Sequence, residues 1–470
     1  MLKEGEAESR ADMQFTKSAI PGVLWPALPD ERAARLLSLL WQFGQSERWP
    51  PGRLLQHQLR QLSLVVDHAW QHVPFYRERL TAAGWSAGRS LDLEQLRRIP
   101  LLTRRDLQDG AATLRSTTLP PQLGGVQESR SSGSTGQPVL VLRSGLDALL
   151  WQVNALRDHQ WHGRDQSLRL AAIRAVSKGV ADPPQGALSA SWGPASEAVC
   201  ATGPAALLSL EADIDTQAAW IRQQAPGYLL TYPNNLAALL EHFAAAGERL
   251  PGLRAVLTVG ETVHPQLRLR CREVWGVDIE DVYSSHELGY IALQCPVGGQ
   301  YHVMAESVLV EVLDAAGNPC APGETGRVVA SSLHNFAMPL IRYELGDYAT
   351  VGAPCACGRN LPALERIAGR ERNLLRLPGG GLRWPTIGLL PYREVAPVRR
   401  FQMIQHSLED LEVRLVTDRR LNAAEEAALA QMITEALGHP FRIRFSRFEQ
   451  DLPRPAGGKF EEFVCAMPPG

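Results

Sequence analysis

The chain is poor in lysine, in cysteine and in long apolar runs, and each shortage excludes something. Of its 48 basic residues only Lys3, Lys17, Lys178 and Lys459 are lysines, and the formal net charge is −2. A balance of this kind offers no broad basic face to nucleic acid or anionic lipid. Seven cysteines in 470 residues are too few for a disulfide scaffold, which fits a reducing compartment. The segment Met1 to Lys17 is charged and lacks the apolar core of a leader. The longest early apolar run, Leu36 to Trp41, falls far short of the roughly 20 residues that span a bilayer. The expectation is a cytoplasmic protein with no membrane and no nucleic-acid partner, either monomer or homodimer. No glycine-rich loop ends in Gly-Lys-Ser/Thr, so the Walker-type phosphate loop is missing too and a phosphoryl transferase releasing ADP is disfavoured.

What is present is enough chain, 45% of it hydrophobic, for two or three domains. Apolar residues recur at helical spacing between Glu31 and Leu80, so the chain opens with helices. Thr103 is placed to cap a further helix, and Gly145 to His159 reads as another. Strands and helices then alternate: strands at 168–175, 228–232 and 255–259, helices at 215–224, 235–246 and 265–275. Such alternation predicts a layered α/β sheet. From Val303 the pattern turns to short alternating strands, 308–313 and 326–331, which reads as a β-rich subdomain. Beyond Arg370 come strands at 401–405, 411–417 and 441–445 and a helix at 423–437, a compact α+β module. The expected division is residues 1–369, a large α/β domain with the β-rich subdomain, and residues 370–470, a small α+β domain.

The chemistry concentrates in a few stretches. Ser131-Ser132-Gly133-Ser134-Thr135-Gly136-Gln137-Pro138 combines hydroxyls with glycines. It reads either as a loop that brings donors close to anionic oxygens or as a Ser/Gly-rich surface turn. Thr258-Val259-Gly260-Glu261 ends a strand in a glycine and an acid, at the edge where α/β sheets bind ligands. Asp281-Val282-Tyr283-Ser284-Ser285-His286-Glu287 supplies a ring that could stack on a base and a carboxylate that could hold Mg²⁺. Arg342-Tyr343-Glu344-Leu345-Gly346-Asp347 ends in an acid suited to a ribose diol. Taken singly, Glu261 and Asp347 read equally as turn acids, Tyr283 as core and Glu287 as a solvated acid. Lys459, in a chain that otherwise favours arginine, presents a slim ammonium near the C-terminus.

In this order these stretches resemble the adenylate-forming enzymes, and among them the phenylacetate-CoA ligase-like group that includes capsule-biosynthesis proteins. The resemblance runs from Val73-Pro74-Phe75-Tyr76-Arg77 and Ile99-Pro100-Leu101-Leu102-Thr103 to Gly458-Lys459-Phe460. It implies that a carboxylate attacks the α-phosphate of ATP, giving an acyl-adenylate and pyrophosphate, and that a thiol then displaces AMP. Ser132, Ser134, Thr135 and Gly136 would hold the β- and γ-phosphates. Glu261, Tyr283 and Ser284 would line the nucleotide pocket, His286 would contact phosphate, Glu287 would ligate Mg²⁺ and Asp347 would bind the ribose. Lys459, on a mobile C-terminal domain, would approach the α-phosphate. Arg366 and Arg370 lie where the family places its nucleotide contact and hinge. The chain departs from the usual pattern at Gln137, where lysine is frequent, at Ser284 for glycine, at His286 for Thr or Ser, and at Arg372-Asn373 for a pair of aspartates.

Cys295, His302, Cys355 and Cys357 make a complete tetrahedral zinc set by ligand type; spacing alone equally allows small buried cysteines and a strand histidine. Some members of the resembled group carry a structural zinc on similar positions, which implies a tether for the β-rich subdomain and no catalytic role. The acid pocket is expected among Trp161, His162, Tyr232, Pro233, Asn234, Asn235 and Gly260, a mix of aromatic and amide groups suited to an aryl or heteroaryl acid. The thiol acceptor is coenzyme A or the phosphopantetheine of an acyl carrier protein. Arg399-Arg400 alone does not define a coenzyme A phosphate site. An amide synthetase using an amine acceptor, or an impaired scaffold of the same fold, are the alternative readings.

Overall fold

The computed structural model describes residues 16–130, 139–370, 373–383, 385, 387, 392–449, 452–453 and 461–467. It divides into two compact units. Of the described residues, the larger takes 16–130, 139–345 and 349–367, and the smaller takes 346–348 and those from Ala368 onward. The main break falls at Ala368, two residues before the expected 370.

The larger unit is built on a 12-stranded sheet. Its parallel part runs through the neighbouring strands Ala205–Ser209, Leu170–Arg174, Tyr228–Thr231, Ala255–Val259 and Asp278–Ser285. Helices Ile214–Gln224, Pro233–Ala246 and Pro265–Trp275 cover one face. Ile173, Leu208, Leu229, Leu236, Leu240, Phe243 and Trp275 are all buried there. Helices on a sheet of near-continuous apolar strands are what βα alternation requires. The expected helix start at Asn235 moves to Pro233, because proline at the first helical position loses no intrahelical bond.

The later strands do not form a separate layer. Gly289–Gln294 turns back antiparallel on Asp278–Ser285. Tyr301–Val303, Ala363–Arg370, Tyr343–Val351, Thr325–Ser332 and Val308–Leu313 then extend the same sheet. The β-rich subdomain read from the sequence is therefore the antiparallel wing of one sheet, since a hairpin continues a sheet edge directly whereas a parallel neighbour needs a crossover. Ala363–Arg370, the wing's last strand in the chain, lies between Tyr343–Val351 and Tyr301–Val303. A buried carboxylate ties the strands across the change of direction: Thr258 Oγ1 and Tyr301 Oη both donate to Asp281, each at 2.6 Å.

The helical lead-in, Glu31–Ser46, Pro51–His72 and Pro74–Ala82, packs Leu62, Val65, Val66 and Tyr76 against Leu102, Val141, Leu340 and Ile341. Helix Gly145–Trp161 is anchored to Glu31–Ser46 by Arg157, 1% exposed, whose guanidinium grips Glu306 at 2.8 and 3.0 Å and donates to the Phe43 carbonyl.

The smaller unit is a four-stranded sheet in the order Arg442–Phe448, Asp410–Thr417, Val398–Gln405, Phe463–Cys465. Helix Ala423–Leu437 lies against it through Leu429, Ile433 and Leu437. Asn422 and Glu425 close its N-terminus with a reciprocal capping box, and Gly438 ends it at φ +66°. Among the described residues no helix is long and apolar enough to cross a membrane.

Candidate active site and metal centre

The carboxyl ends of the parallel strands carry the candidate nucleotide residues. After Val259 the chain turns at Gly260, φ +78°, a conformation open to glycine and costly for side chains with a Cβ. The Glu261 carboxylate then accepts the Asn234 N–H at 3.0 Å, placing negative charge on the first turn of helix Pro233–Ala246. Pro233 and Glu261 are thereby neighbours. Tyr232, buried, caps the same helix start, and its hydroxyl accepts from Ala175 N at 3.4 Å. Asn235 is committed to Gln217 and Thr231, and His162 lies against Asp158 at 3.2 Å.

Trp161 meets three other side chains. Its indole N–H donates to Glu47 at 3.1 Å, Arg359 covers its ring at 4.2 Å, and its ring meets His302 edge-on at 5.7 Å. It walls the cysteine cluster. Tyr283 is buried and packs with Ile291, Ala292 and Tyr301, so its ring is part of the sheet's apolar core.

A β-bulge separates Tyr283 from Ser284, which pairs with Tyr290. The extra residue re-aims the turn beyond it. Ser285 Oγ accepts the Leu288 N–H at 3.0 Å and tightens that turn, which carries His286 and Glu287. Glu287 is buried and His286 exposed. The Glu287 carboxylate lies 3.5 Å from Arg104, which opens the helix Arg104–Asp109 behind the Thr103 cap. Arg143, at the end of strand Leu140–Ser144, donates to the carbonyl oxygens of His286 and Ser285. Arg143 and Glu287 both line a cavity that also touches Trp151, Asn154, Tyr290 and His334. Neither arginine stood out in the sequence. The available sign was an arginine ending the apolar run Val139 to Leu142, immediately before the Ser144 cap of a helix.

Asp347 lies on strand Tyr343–Val351, with Arg370 at 3.5 Å from its carboxylate. Arg366 donates to Thr350 Oγ1 at 3.0 Å. Asn373 accepts the Arg370 N–H at 3.3 Å and donates to the Phe463 carbonyl at 2.6 Å, so it locks the first turn of the smaller unit to that unit's last strand. Arg399 pairs with Asp418 at 3.0 Å. Ser132, Ser134, Thr135, Gly136, Gln137, Arg372 and Lys459 lie outside the described residues.

Cys295, His302, Cys355 and Cys357 converge, with their ligand atoms all within 4.8 Å of one another. The Cys295 and Cys355 sulfurs are 3.8 Å apart, the edge expected of a tetrahedron with Zn–S bonds of about 2.3 Å. His302 Nε2 is 3.2 Å from the Cys357 sulfur. Gly298 N–H points to the Cys295 sulfur and Arg359 N–H to the Cys357 sulfur, each at 3.4 Å. A Cβ at Gly298 would sit 2.5 Å from the Cys355 sulfur, so the loop can wrap this closely only with glycine there. Burial and the neighbouring thiols push Cys355 up to about 11. At Cys357 burial opposes ionisation, yet the Arg359 N–H and the adjacent thiols bring its pKa below the ordinary value. Burial lowers His302 to about 4, leaving a neutral imidazole. The donor set suits a divalent cation in place of the thiol protons.

Two family models match this chain, AMP-binding enzyme over residues 131–338 and CapK C-terminal domain over residues 391–465, together more than half of it. A phenylacetate-coenzyme A ligase of Thermus thermophilus is 27% identical over 86% of this chain and 91% of its own length. The phenylacetate-coenzyme A ligase of Escherichia coli is 26% identical over 68% and 72%. Among solved structures, a 2-hydroxyisobutyryl-CoA ligase in the postadenylation state superposes with a TM-score of 0.70 at 18% identity, covering 90% of this chain and 91% of that one. On these matches the chain belongs to the adenylate-forming enzymes as a phenylacetate-CoA ligase-like protein with a CapK-type C-terminal domain.

Proposed function

We propose that the protein activates a small carboxylic acid with ATP, releasing pyrophosphate, and passes the acyl group from AMP to the thiol of coenzyme A. The observation that carries this reading is the pair Glu261 and Glu287, set beyond the ends of adjacent parallel strands in a chain of this family. Glu287 would hold Mg²⁺, which neutralises phosphate charge as the acid attacks. Asp347 would accept from the ribose hydroxyls, and Glu261 would border the adenine. His286, exposed at the turn, can donate to a phosphate oxygen. Lys459 and the Ser132 to Gly136 loop take their phosphate roles from the resemblance. The acid is aryl or heteroaryl, supported by Tyr232 at the strand ends. A carrier-protein phosphopantetheine presents the same thiol and is the second acceptor to try.

The test is pyrophosphate release from ATP across aryl, heteroaryl, fatty and amino acids, with coenzyme A, a carrier protein or an amine. Release with aryl acids, accelerated by coenzyme A, is the expected result. Acceleration by the amine instead would make the protein an amide synthetase, and no release with no nucleotide binding would make it a scaffold.

We further assign a structural zinc to Cys295, His302, Cys355 and Cys357, tethering Tyr301–Val303 to the 355–359 loop. Protein purified without added metal is expected to hold about one equivalent and to lose thermal stability on chelation. Less than half an equivalent, with stability unmoved, would remove the assignment.

A further inference from the structure

We propose that Arg143 is the positioning residue for Glu287, holding its turn in the geometry that receives Mg²⁺. The inference rests on the role given to Glu287 above and concerns a residue outside the nucleotide motifs.

Arg143 is held before it acts. Its strand pairs antiparallel with Val126–Arg130, Gln127 standing opposite. The next residue, Ser144, exchanges bonds with Asp147 at the start of helix Gly145–Trp161. The side chain then reaches the turn from beneath. One guanidinium nitrogen donates to the His286 carbonyl and lies 3.5 Å from the Ser285 carbonyl. These are the carbonyls of the two residues preceding Glu287, so the donor acts on the backbone that sets the direction of the Glu287 side chain.

The remaining contacts fix the direction of approach. The guanidinium sits 5.6 Å from the Trp151 ring centroid, and Trp151 meets Tyr290, just beyond the turn, at 4.6 Å with the rings tilted by 51°. Gly289, φ +81°, closes the turn so tightly on this ring pair that a Cβ would lie 3.2 Å from Trp151 Cε3. Trp151, Arg143 and the turn are thus packed in contact, with Arg104 holding the Glu287 carboxylate from another element. Burial disfavours the Arg143 charge and lowers its pKa, a penalty that the carboxylates of Asp147 and Glu287 offset only in part. A guanidinium is planar and more weakly hydrated than an ammonium, so Arg143 meets these carbonyls and the ring with a fixed plane that a lysine side chain does not reproduce.

Two effects of Arg143 on Mg²⁺ oppose each other, and this makes the proposal testable. As a cation near Glu287 it competes with the metal. As a donor to the turn it places Glu287. Groups that orient a metal ligand typically contribute about 10- to 100-fold in metal affinity, whereas the competition of a partly screened charge is weaker, so placement should win.

Full-length protein with Arg143→Lys, Arg143→Met or Glu287→Gln is titrated with ATP by calorimetry at several Mg²⁺ concentrations, without acid. AMP, which needs no metal, serves as control, and thermal unfolding is followed in parallel. Both Arg143 variants are expected to raise the Mg²⁺ concentration needed for ATP binding by about tenfold, with AMP affinity within twofold of the parent. A normal Arg143→Lys together with tighter Mg²⁺ use by Arg143→Met would show a competing charge only and overturn the proposal. Lower stability with unchanged Mg²⁺ dependence would show plain structural support and overturn it too. If Glu287→Gln leaves the Mg²⁺ dependence unaltered, the role of Glu287 falls and this inference with it. If Glu287→Gln weakens it while both Arg143 variants behave as the parent, the inference alone falls.

Discussion

Arg157 shows how much one side chain can hold. Its guanidinium is shared among Glu306, Glu47 and the Phe43 carbonyl, at 1% exposure. Removing one partner of a buried ion pair leaves the others charged and unpaired, at a cost of about 3–5 kcal/mol. Arg157→Ala is therefore expected to lower the urea midpoint markedly, whereas replacing Arg157, Glu47 and Glu306 together by apolar residues should cost less than the single change. His334 acts on stability through pH. Burial holds it at about 4, below its ordinary 6.5, so the folded chain resists a proton that the unfolded chain takes up. Its contribution is complete above about pH 6.5 and is lost as pH falls toward 4, to a total of about 3 kcal/mol. Urea midpoints measured from pH 7 to 4 should fall less steeply for His334→Gln than for the parent. Equal slopes would show that the ring is protonated at its ordinary pKa.

At the scale of elements, Gly289 is the position where backbone and site depend on each other most closely. Gly289→Ala places a Cβ at positive φ against Trp151, a strain of about 1–3 kcal/mol. It should destabilise by that order and weaken Mg²⁺-dependent ATP binding more than AMP binding, read by the same titrations. The elements themselves were legible where the chain punctuates them. Strand Ala255–Val259 and helices Pro265–Trp275 and Ala423–Leu437 lie at the bounds their sequence predicts, because proline or a capping residue opens each helix and glycine closes it. Strands Ala187–Ser189 and Phe463–Cys465, three residues each, carry too little periodicity to register. The joining of the antiparallel wing to the parallel strands depends on pairing between residues far apart in the chain, which no local pattern contains. In the site, the acids and the cysteine set were visible as residue types at strand ends and turns. Arg104 and Arg143 were not, because what distinguishes them is which carboxylate and carbonyls they meet. For Trp161, too, an aromatic at a helix end says nothing of its neighbours, and the ring meets Arg359 and His302.

At the scale of the whole molecule, the strand order has a consequence for synthesis. Ala363–Arg370 is the last strand of the large sheet to be made, yet it is an interior one. Until it emerges from the ribosome, Tyr343–Val351 and Tyr301–Val303 are bare edges facing a gap one strand wide, a template for pairing with other chains. A nascent chain stalled before Ala363 should collect in the insoluble fraction, and one released just after Arg370 should stay in solution; equal solubility would show that the gap closes without the strand. Tyr301 pairs with Leu364 and His302 with Ala363, so the cluster histidine lies on the rim of that gap. The strand that completes the sheet is thus the keystone of its assembly, and a nonsense mutation between Val351 and Ala363 would yield an adhesive product in place of an inert fragment.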